Sequence, residues 1–385
     1  MGLRDIGASL FLGSGEAVHL DPEGRLRRAF FPSTERRGVH FLRGLDGRLL
    51  RKDLGEGVGS APTERRAVFE RVHAIAQEAL ASHPSDKDRA RGETPRAALE
   101  AAAAWTAEKL EGESARFLSA YRPLGILPPD RYGSLILQAT EGCSWNRCTF
   151  CALYRGRHHR AKTLEEFRGH VASVKRFLGR SLASRRGVFL SEANALSVPL
   201  DTLRAMVRII EAEVPVPRPL AAFSDVFTEQ PRSVEALRPL AELGLARVYV
   251  GLESGDEAVL RFLAKPAESE EALRFVANLK AAGIAVGVIV LVGAGGDRFP
   301  GHVPETVRLV SRMPLDDRDL VYVSPLVEEP GADWARRAAK EEVRALSDAE
   351  MATQENALRR GLFAALGTHR PRVSRYDVRS FIYQG

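Results

Sequence analysis

The sequence predicts an α/β protein whose central part is a partial (βα)6 barrel, laid out like an incomplete TIM barrel. From about Leu124, short apolar or β-branched runs alternate with amphipathic helical stretches at intervals of roughly 30–40 residues, a rhythm typical of parallel βα units. Gly244 and Gly283 come directly after two of the helical stretches, where a left-handed stop is expected. Because six units are too few to close an eight-stranded barrel, we expect an open one.

The elements of the barrel follow from these runs. The predicted strands are residues 134–140, 187–190, 220–223, 247–251, 286–292 and 320–324. The predicted helices lie near residues 164–178, 200–213, 233–243, 268–282 and 304–312. In α/β barrels the functional groups gather at the C-terminal ends of the strands, so the site should lie where these strands end.

Two further regions flank the predicted barrel at residues 124–330. Residues 1–123 are expected to form an α+β extension, with hairpin-like strands up to about residue 60 and helices from residue 63 to about 121. Residues 83–95 are polar and are expected to be a loop. Residues 331–385 are expected to be a C-terminal helical segment up to residue 369, followed by an irregular tail with apolar anchors.

Composition limits the cellular locations and the classes of binding partner that we expect. No apolar run approaches the roughly 18 residues that cross a bilayer, and no signal-peptide pattern opens the chain, so a cytoplasmic protein is expected. The formal charge is +6, but the 56 basic residues are interspersed with 50 acidic ones and form no tract. We therefore expect neither a membrane partner nor a nucleic-acid partner.

The three cysteines, Cys143, Cys148 and Cys151, all fall within nine residues just after the first predicted strand. An odd, clustered set indicates a metal or cluster site, not a disulfide framework. Three thiolates on one loop can bind three irons of a [4Fe–4S] cluster and leave the fourth iron open. The alternative is a structural zinc site completed by His158 or His159.

This loop resembles the cluster loop of the radical SAM superfamily. Phe150 stands directly before the last cysteine, as the aromatic residue of that family does. The first spacing is C-x4-C where C-x3-C is usual, which is similar to a bacterial and archaeal branch carrying GC-x-x-N-x-C-x-FC. The resemblance implies a [4Fe–4S] cluster on the three cysteines that cleaves S-adenosylmethionine with an electron from flavodoxin or ferredoxin. The resulting 5′-deoxyadenosyl radical would abstract hydrogen from a substrate.

The resemblance also implies the residues that contact S-adenosylmethionine. They follow the predicted strands in chain order and are Phe150, Glu192, Ser224, Glu253, Ser254, Lys265 and Gly293. By this similarity Glu192 meets the methionine amino group and Lys265 the methionine carboxylate. Glu253 and Ser254 meet the ribose hydroxyls, Ser224 supplies another polar contact, and Gly293 lets the backbone approach the adenine.

Two other functions stay open at this level. Ser191 and Ala193 replace the glycines usual beside Glu192, which leaves room for a redox sensor or regulator that binds the cluster and S-adenosylmethionine without productive turnover. A zinc-stabilised interaction module would need no S-adenosylmethionine.

Overall fold

The computed structural model describes residues 2–4, 7–33, 38–52, 58–82, 95–215, 219–226, 233–266, 269–367 and 371–383. Within these ranges no helix combines the length and the apolar character needed to cross a membrane. The polar loop predicted for residues 83–95 lies outside the described residues, except for Pro95, where a helix begins.

The chain begins with an antiparallel sheet whose seven strands pair in sequence order. One connection is a tight turn at Asp21, which closes with a 2.8 Å hydrogen bond from Gly24 N to Asp21 O, and Gly24 has a φ of +84°. The strands are β1 (Gly2–Arg4), β2 (Gly7–Phe11), β3 (Ala17–Leu20), β4 (Leu26–Phe31), β5 (Val39–Arg43), β6 (Leu49–Lys52) and β7 (Val58–Gly59). The predicted hairpins are therefore present.

Three helices pack on this sheet and bury a common apolar cluster with it. They are α1 (Pro62–Ala81), α2 (Pro95–Ala103) and α3 (Ala107–Ala120). Phe69 and Ile75 of α1 and Leu99 of α2 are completely or almost completely buried against the sheet. The sheet and these helices together give the region an α+β architecture.

The barrel sheet contains all six predicted strands. They are β8 (Leu135–Gln138), β11 (Val188–Ser191), β12 (Leu220–Ser224), β13 (Leu245–Glu253), β14 (Ala285–Val292) and β15 (Leu320–Pro325), and neighbours pair in parallel. Every residue of β8, β11, β12, β14 and β15 is buried, as expected for parallel strands covered by helices. Two short strands, β9 (Thr140–Glu141) and β10 (Arg160–Ala161), pair antiparallel and enclose the cysteine loop.

The helices of the barrel also match the prediction. They are α4 (Leu164–Leu178), α5 (Leu200–Glu213), α6 (Val234–Glu242), α8 (Ser269–Ala281) and α9 (His302–Arg312), with a short α7 (Glu257–Phe262) that the sequence did not predict. The helix α4 begins at a capping box in which Thr163 and Glu166 satisfy each other's backbone N–H groups. After the barrel come α10 (Trp334–Lys340) and α11 (Asp348–Ala365).

The C-terminal tail differs from the prediction. Its residues Arg372–Arg375 form β16, which pairs in parallel with β15 and gives the barrel sheet seven strands in the described part of the chain. The sequence conceals this strand because it is short and begins and ends with arginines. Beyond it, the hydroxyl of Tyr383 donates to Ser134 O at 3.2 Å and accepts from Ile136 N at 3.1 Å. The tail therefore runs from the β16 edge of the open sheet to the β8 edge.

A buried arginine joins the N-terminal region to the barrel. Arg25 donates to Asp21 at 2.8 Å, to Glu113 of α3 at 3.0 Å and to the carbonyl of Phe177 in α4 at 3.1 Å. All three charged side chains are at most 1% exposed. This network lies between the sheet, α3 and α4; a domain boundary at residue 123 stays a prediction.

Replacing Arg25 by alanine should lower the free energy of unfolding by about 3–5 kcal/mol, because it leaves the buried Asp21 carboxylate without its cation and leaves the buried Glu113 carboxylate with Arg116 alone. Urea unfolding followed by circular dichroism measures the loss. The control is Arg28→Ala, which removes an exposed arginine on β4, the strand that begins directly after Arg25, and which should change stability by less than about 0.5 kcal/mol. Equal stabilities of the two variants would show that the buried network does not join the two regions.

Candidate functional site

The three cysteines lie on the loop between β9 and β10, and this loop leaves its strand through a glycine. Gly142 has a φ of +73°, and a Cβ atom there would lie 2.9 Å from His158 O on the returning arm of the loop. Only glycine combines that conformation with that approach. The two ends of the loop, at Gly142 and His158, therefore lie close together.

The far side of the loop is fastened to the end of α7. Thr149 N donates to Leu263 O at 2.9 Å, and the Trp145 indole donates to Ala264 O at 2.7 Å. The residue that follows is Lys265. The loop that carries the thiols and the lysine predicted to bind methionine carboxylate are thus parts of one hydrogen-bonded unit.

The three cysteines are free thiols and all line one cavity of about 1130 Å³, its open mouth included. The same wall includes four of the other predicted site residues: Phe150, Ser224, Glu253 and Lys265. Among the described residues, no three His, Cys, Asp or Glu side chains converge closely enough to share one metal ion. The structure therefore brings seven of the ten predicted site residues to one cavity.

Burial affects two of these thiols strongly. It raises the pKa of Cys148 to about 11 and that of Cys151 to about 12. By themselves these thiols would stay protonated at neutral pH, and a bound metal would be needed to hold them as thiolates.

A buried ion pair lies beside the thiols. Lys265 Nζ is 2.8 Å from Glu253 Oε1, and both residues are less than 10% exposed. Burial disfavours the charged lysine, but Glu253 and Cys148 outweigh it and raise the pKa of Lys265. A Cβ on Gly251 would lie 2.4 Å from the Glu253 carboxylate, so the pair occupies space that the glycine leaves open.

Glu192 lies behind the cysteine loop and does not line the cavity. Its Oε2 accepts from Gly142 N at 2.6 Å, and its Oε1 accepts from Gln138 at 2.9 Å and from Arg157 at 3.0 Å. Burial raises the pKa of Glu192 despite these donors. Its contacts in the structure are those of a residue that positions the loop.

Ser254 and Gly293 also lie apart from the cavity wall. The hydroxyl of Ser254 is fully buried and is 2.8 Å from His302 Nδ1. Gly293 N donates to Gln354 of α11 at 2.6 Å, and a Cβ there would lie 2.3 Å from Met351 Sδ. Gly293 lines a second cavity, of about 1210 Å³, between the barrel and α11.

One acidic residue of the cavity wall was missed at the sequence level. Asp225, directly after Ser224, lines the cavity, and its Oδ2 accepts from Asn194 at 2.9 Å and from Ser144 at 3.2 Å. Asn194 is 1% exposed, and its Oδ1 has no hydrogen-bond partner. The available signal was the position of an acidic residue at the end of a buried strand.

Residues 137–310 match the family model described as the Radical SAM superfamily. No curated protein matches the chain. Coproporphyrinogen III oxidase (HemN) from Escherichia coli is similar in structure, with 13% identity, a TM-score of 0.46 and coverage of 66% of this chain and 55% of that one. The radical SAM methyltransferase TsrM from Kitasatospora setae has 18% identity, a TM-score of 0.42 and coverage of 58% and 44%. Methylornithine synthase (PylB) has 16% identity, a TM-score of 0.41 and coverage of 81% of this chain and 84% of that one. The chain thus spans about half the length of the oxidase.

Enzymes of this superfamily use a [4Fe–4S] cluster and S-adenosylmethionine, and the donor set of the cavity fits both. Three thiols on one loop suit three irons of a cluster. A lysine and two carboxylates on the same wall, Lys265, Glu253 and Asp225, suit a ligand that carries both an ammonium and a carboxylate group.

Glu192→Ala tests whether Glu192 positions the loop. The variant removes the acceptor of Gly142 N and Arg157, a loss of about 1.5–3 kcal/mol for charged hydrogen bonds. Anaerobically reconstituted variant should therefore retain less iron per chain than the wild type after gel filtration, whereas Glu165→Ala, an exposed change on α4, should retain all of it. Full iron content combined with weak S-adenosylmethionine binding would instead support the methionine contact predicted from the resemblance.

Proposed function

We propose that this chain, whose residues 137–310 match the Radical SAM superfamily model, is an enzyme of that superfamily and that Cys143, Cys148 and Cys151 hold its [4Fe–4S] cluster. The observation that carries the proposal is the placement of the three thiols around one cavity, next to the buried Lys265–Glu253 pair.

The reaction we propose is hydrogen abstraction from a substrate bound in this cavity. When bound, the cluster and S-adenosylmethionine supply a 5′-deoxyadenosyl radical; the protein supplies binding, orientation and exclusion of water. Enzymes of the superfamily generally take their electron from an external donor, and flavodoxin or ferredoxin is the donor we expect here.

Lys265 and Glu253 are the residues we assign to the carboxylate and ribose ends of S-adenosylmethionine. An ammonium group has three N–H donors, so Lys265 can bind Glu253 and a methionine carboxylate together. The Glu253 carboxylate has a second oxygen that can accept from a ribose hydroxyl. Ser224, at the end of β12 on the same wall, is the adjoining polar contact.

For the methionine amino group we assign Asp225 in place of Glu192. Both Glu192 oxygens already accept hydrogen bonds from the loop and its surroundings, and Glu192 does not line the cavity. Asp225 lines the cavity, and a carboxylate there can accept a hydrogen bond from an ammonium group.

The remaining predicted contacts keep more limited roles. Phe150 lines the cavity next to the thiols, so a direct contact with the cofactors stays a prediction. Ser254 is hydrogen-bonded to His302, and Gly293 is hydrogen-bonded to Gln354. We therefore propose that they stabilise the C-terminal ends of β13 and β14.

Anaerobic reconstitution tests the function itself. We expect a brown protein with about four irons per chain that releases 5′-deoxyadenosine when given dithionite and S-adenosylmethionine, and a colourless Cys148→Ala variant. The reaction without S-adenosylmethionine is the control. A protein that keeps the cluster but releases no 5′-deoxyadenosine would favour a redox sensor, and a colourless protein with one zinc would contradict the cluster.

Asp225→Asn tests the assignment of the amino group. The variant should bind S-adenosylmethionine roughly 10- to 100-fold more weakly, the cost of one charge-assisted hydrogen bond, while its cluster spectrum stays intact. Binding of 5′-methylthioadenosine, which lacks the amino-acid group, should not change. Calorimetric titration of cluster-loaded protein measures both affinities, and Asp201→Asn, an exposed change on α5, is the control.

The amino-group assignment fails if Asp225→Asn binds S-adenosylmethionine like the wild type. It also fails if the two ligands weaken equally, since that would indicate a general distortion of the cavity and not the loss of one contact.

A further inference from the structure

Part of the cavity wall carries no residue that we have assigned to the cluster or to S-adenosylmethionine. It is built by segments that follow Cys151, β15 and β16. Most of its side chains are apolar, among them Leu153, Val327 and Val378, and three residues with polar groups, Tyr154, Glu329 and Tyr376, interrupt them. This wall is the part of the site that remains for a substrate.

Glu329 is a carboxylate without a counter-ion. Its Oε2 accepts from Ala152 N at 3.2 Å, and among the described residues no lysine, arginine or histidine pairs with it. It is half-buried, and burial raises its pKa. A partly buried carboxylate that lacks a cation is costly. Such groups in clefts are frequently functional.

The arginines nearest to this wall are held by other acids. Arg48, Arg157 and Arg379 line a neighbouring cavity that Glu329 also lines. Their carboxylate partners are Asp46, Glu192 and Asp377, respectively. They therefore do not neutralise Glu329, and the carboxylate is left for a cation from outside the protein.

The charge of the cavity wall also favours a cationic ligand. Among the described residues, the charged side chains that line the cavity are the carboxylates Asp225, Glu253 and Glu329 and one ammonium, Lys265, which pairs with Glu253. The wall thus combines more carboxylates than cations with an apolar surface.

We propose that the substrate of this enzyme is an amine: a protonated amino group binds Glu329, and an apolar body lies against Leu153, Val327 and Val378. The identification of the cavity as the place of reaction rests on the proposed function. The binding of an amine to Glu329 does not, because it needs only side chains of this chain.

The test is a comparison of three probes of equal chain length: hexylammonium, hexanol and hexanoate. They are titrated by calorimetry into the full chain, with and without cluster and S-adenosylmethionine. Hexylammonium should bind more tightly than hexanol, and hexanoate should not bind. Glu329→Gln, which keeps an acceptor for Ala152 N, should weaken hexylammonium binding at least about 10-fold and leave hexanol binding unchanged.

Glu328→Gln is the matched control. Glu328 is the exposed neighbour of Glu329 and lines the cavity between the barrel and α11, so this variant should leave all three affinities unchanged. Circular dichroism melting establishes that both variants fold. The proposal is overturned if hexylammonium does not bind, if hexanoate binds as tightly, or if Glu329→Gln binds hexylammonium like the wild type. A chain that binds hexylammonium through Glu329 but holds no cluster would contradict the proposed function and leave the amine site intact.

Discussion

The buried ion pair between Lys265 and Glu253 is the interaction on which the geometry of the site depends. Two opposite charges can be buried together only when they stay close and well oriented, because separating them leaves an uncompensated charge. The chain provides this orientation through unusual backbone conformations. Glu253 has a φ of +63° and Ala264, just before Lys265, a φ of +52°. The β13–β14 register also shifts between Gly251 and Glu253.

Hydrogen bonds connect the segment that carries Lys265 to the cysteine loop. Lys265 N donates to Leu260 O at 2.9 Å at the end of α7, and the carbonyls of Leu263 and Ala264 hold the loop through Thr149 and Trp145. On the opposite arm, Glu192 fixes the loop to β11. A loop that is hydrogen-bonded to regular elements on both sides moves less than a free loop. This loop can therefore keep its thiols at constant distances from Lys265.

The fold was predictable from the sequence wherever long apolar runs decide the structure. Strands such as β14 are buried on both faces and consist almost entirely of apolar residues, so their pattern is unambiguous. β16 was missed because Val373 is its one buried residue and its stability comes from pairing with β15. The short helix α7 was missed as well: its six residues are too few for a periodic pattern.

The cysteines could be singled out from their spacing and residue type, and their cavity neighbours from the resemblance to a family; the roles of all these residues stay predictions. What could not be predicted is how each carboxylate is used. Glu192 and Asp225 are both acids near strand ends, but the first is saturated by Gly142, Gln138 and Arg157, whereas the second lines the cavity. That difference depends on which donors the folded chain brings to each carboxylate. A resemblance between motifs therefore indicates which group is to be bound, whereas the surroundings of each carboxylate depend on the folded chain.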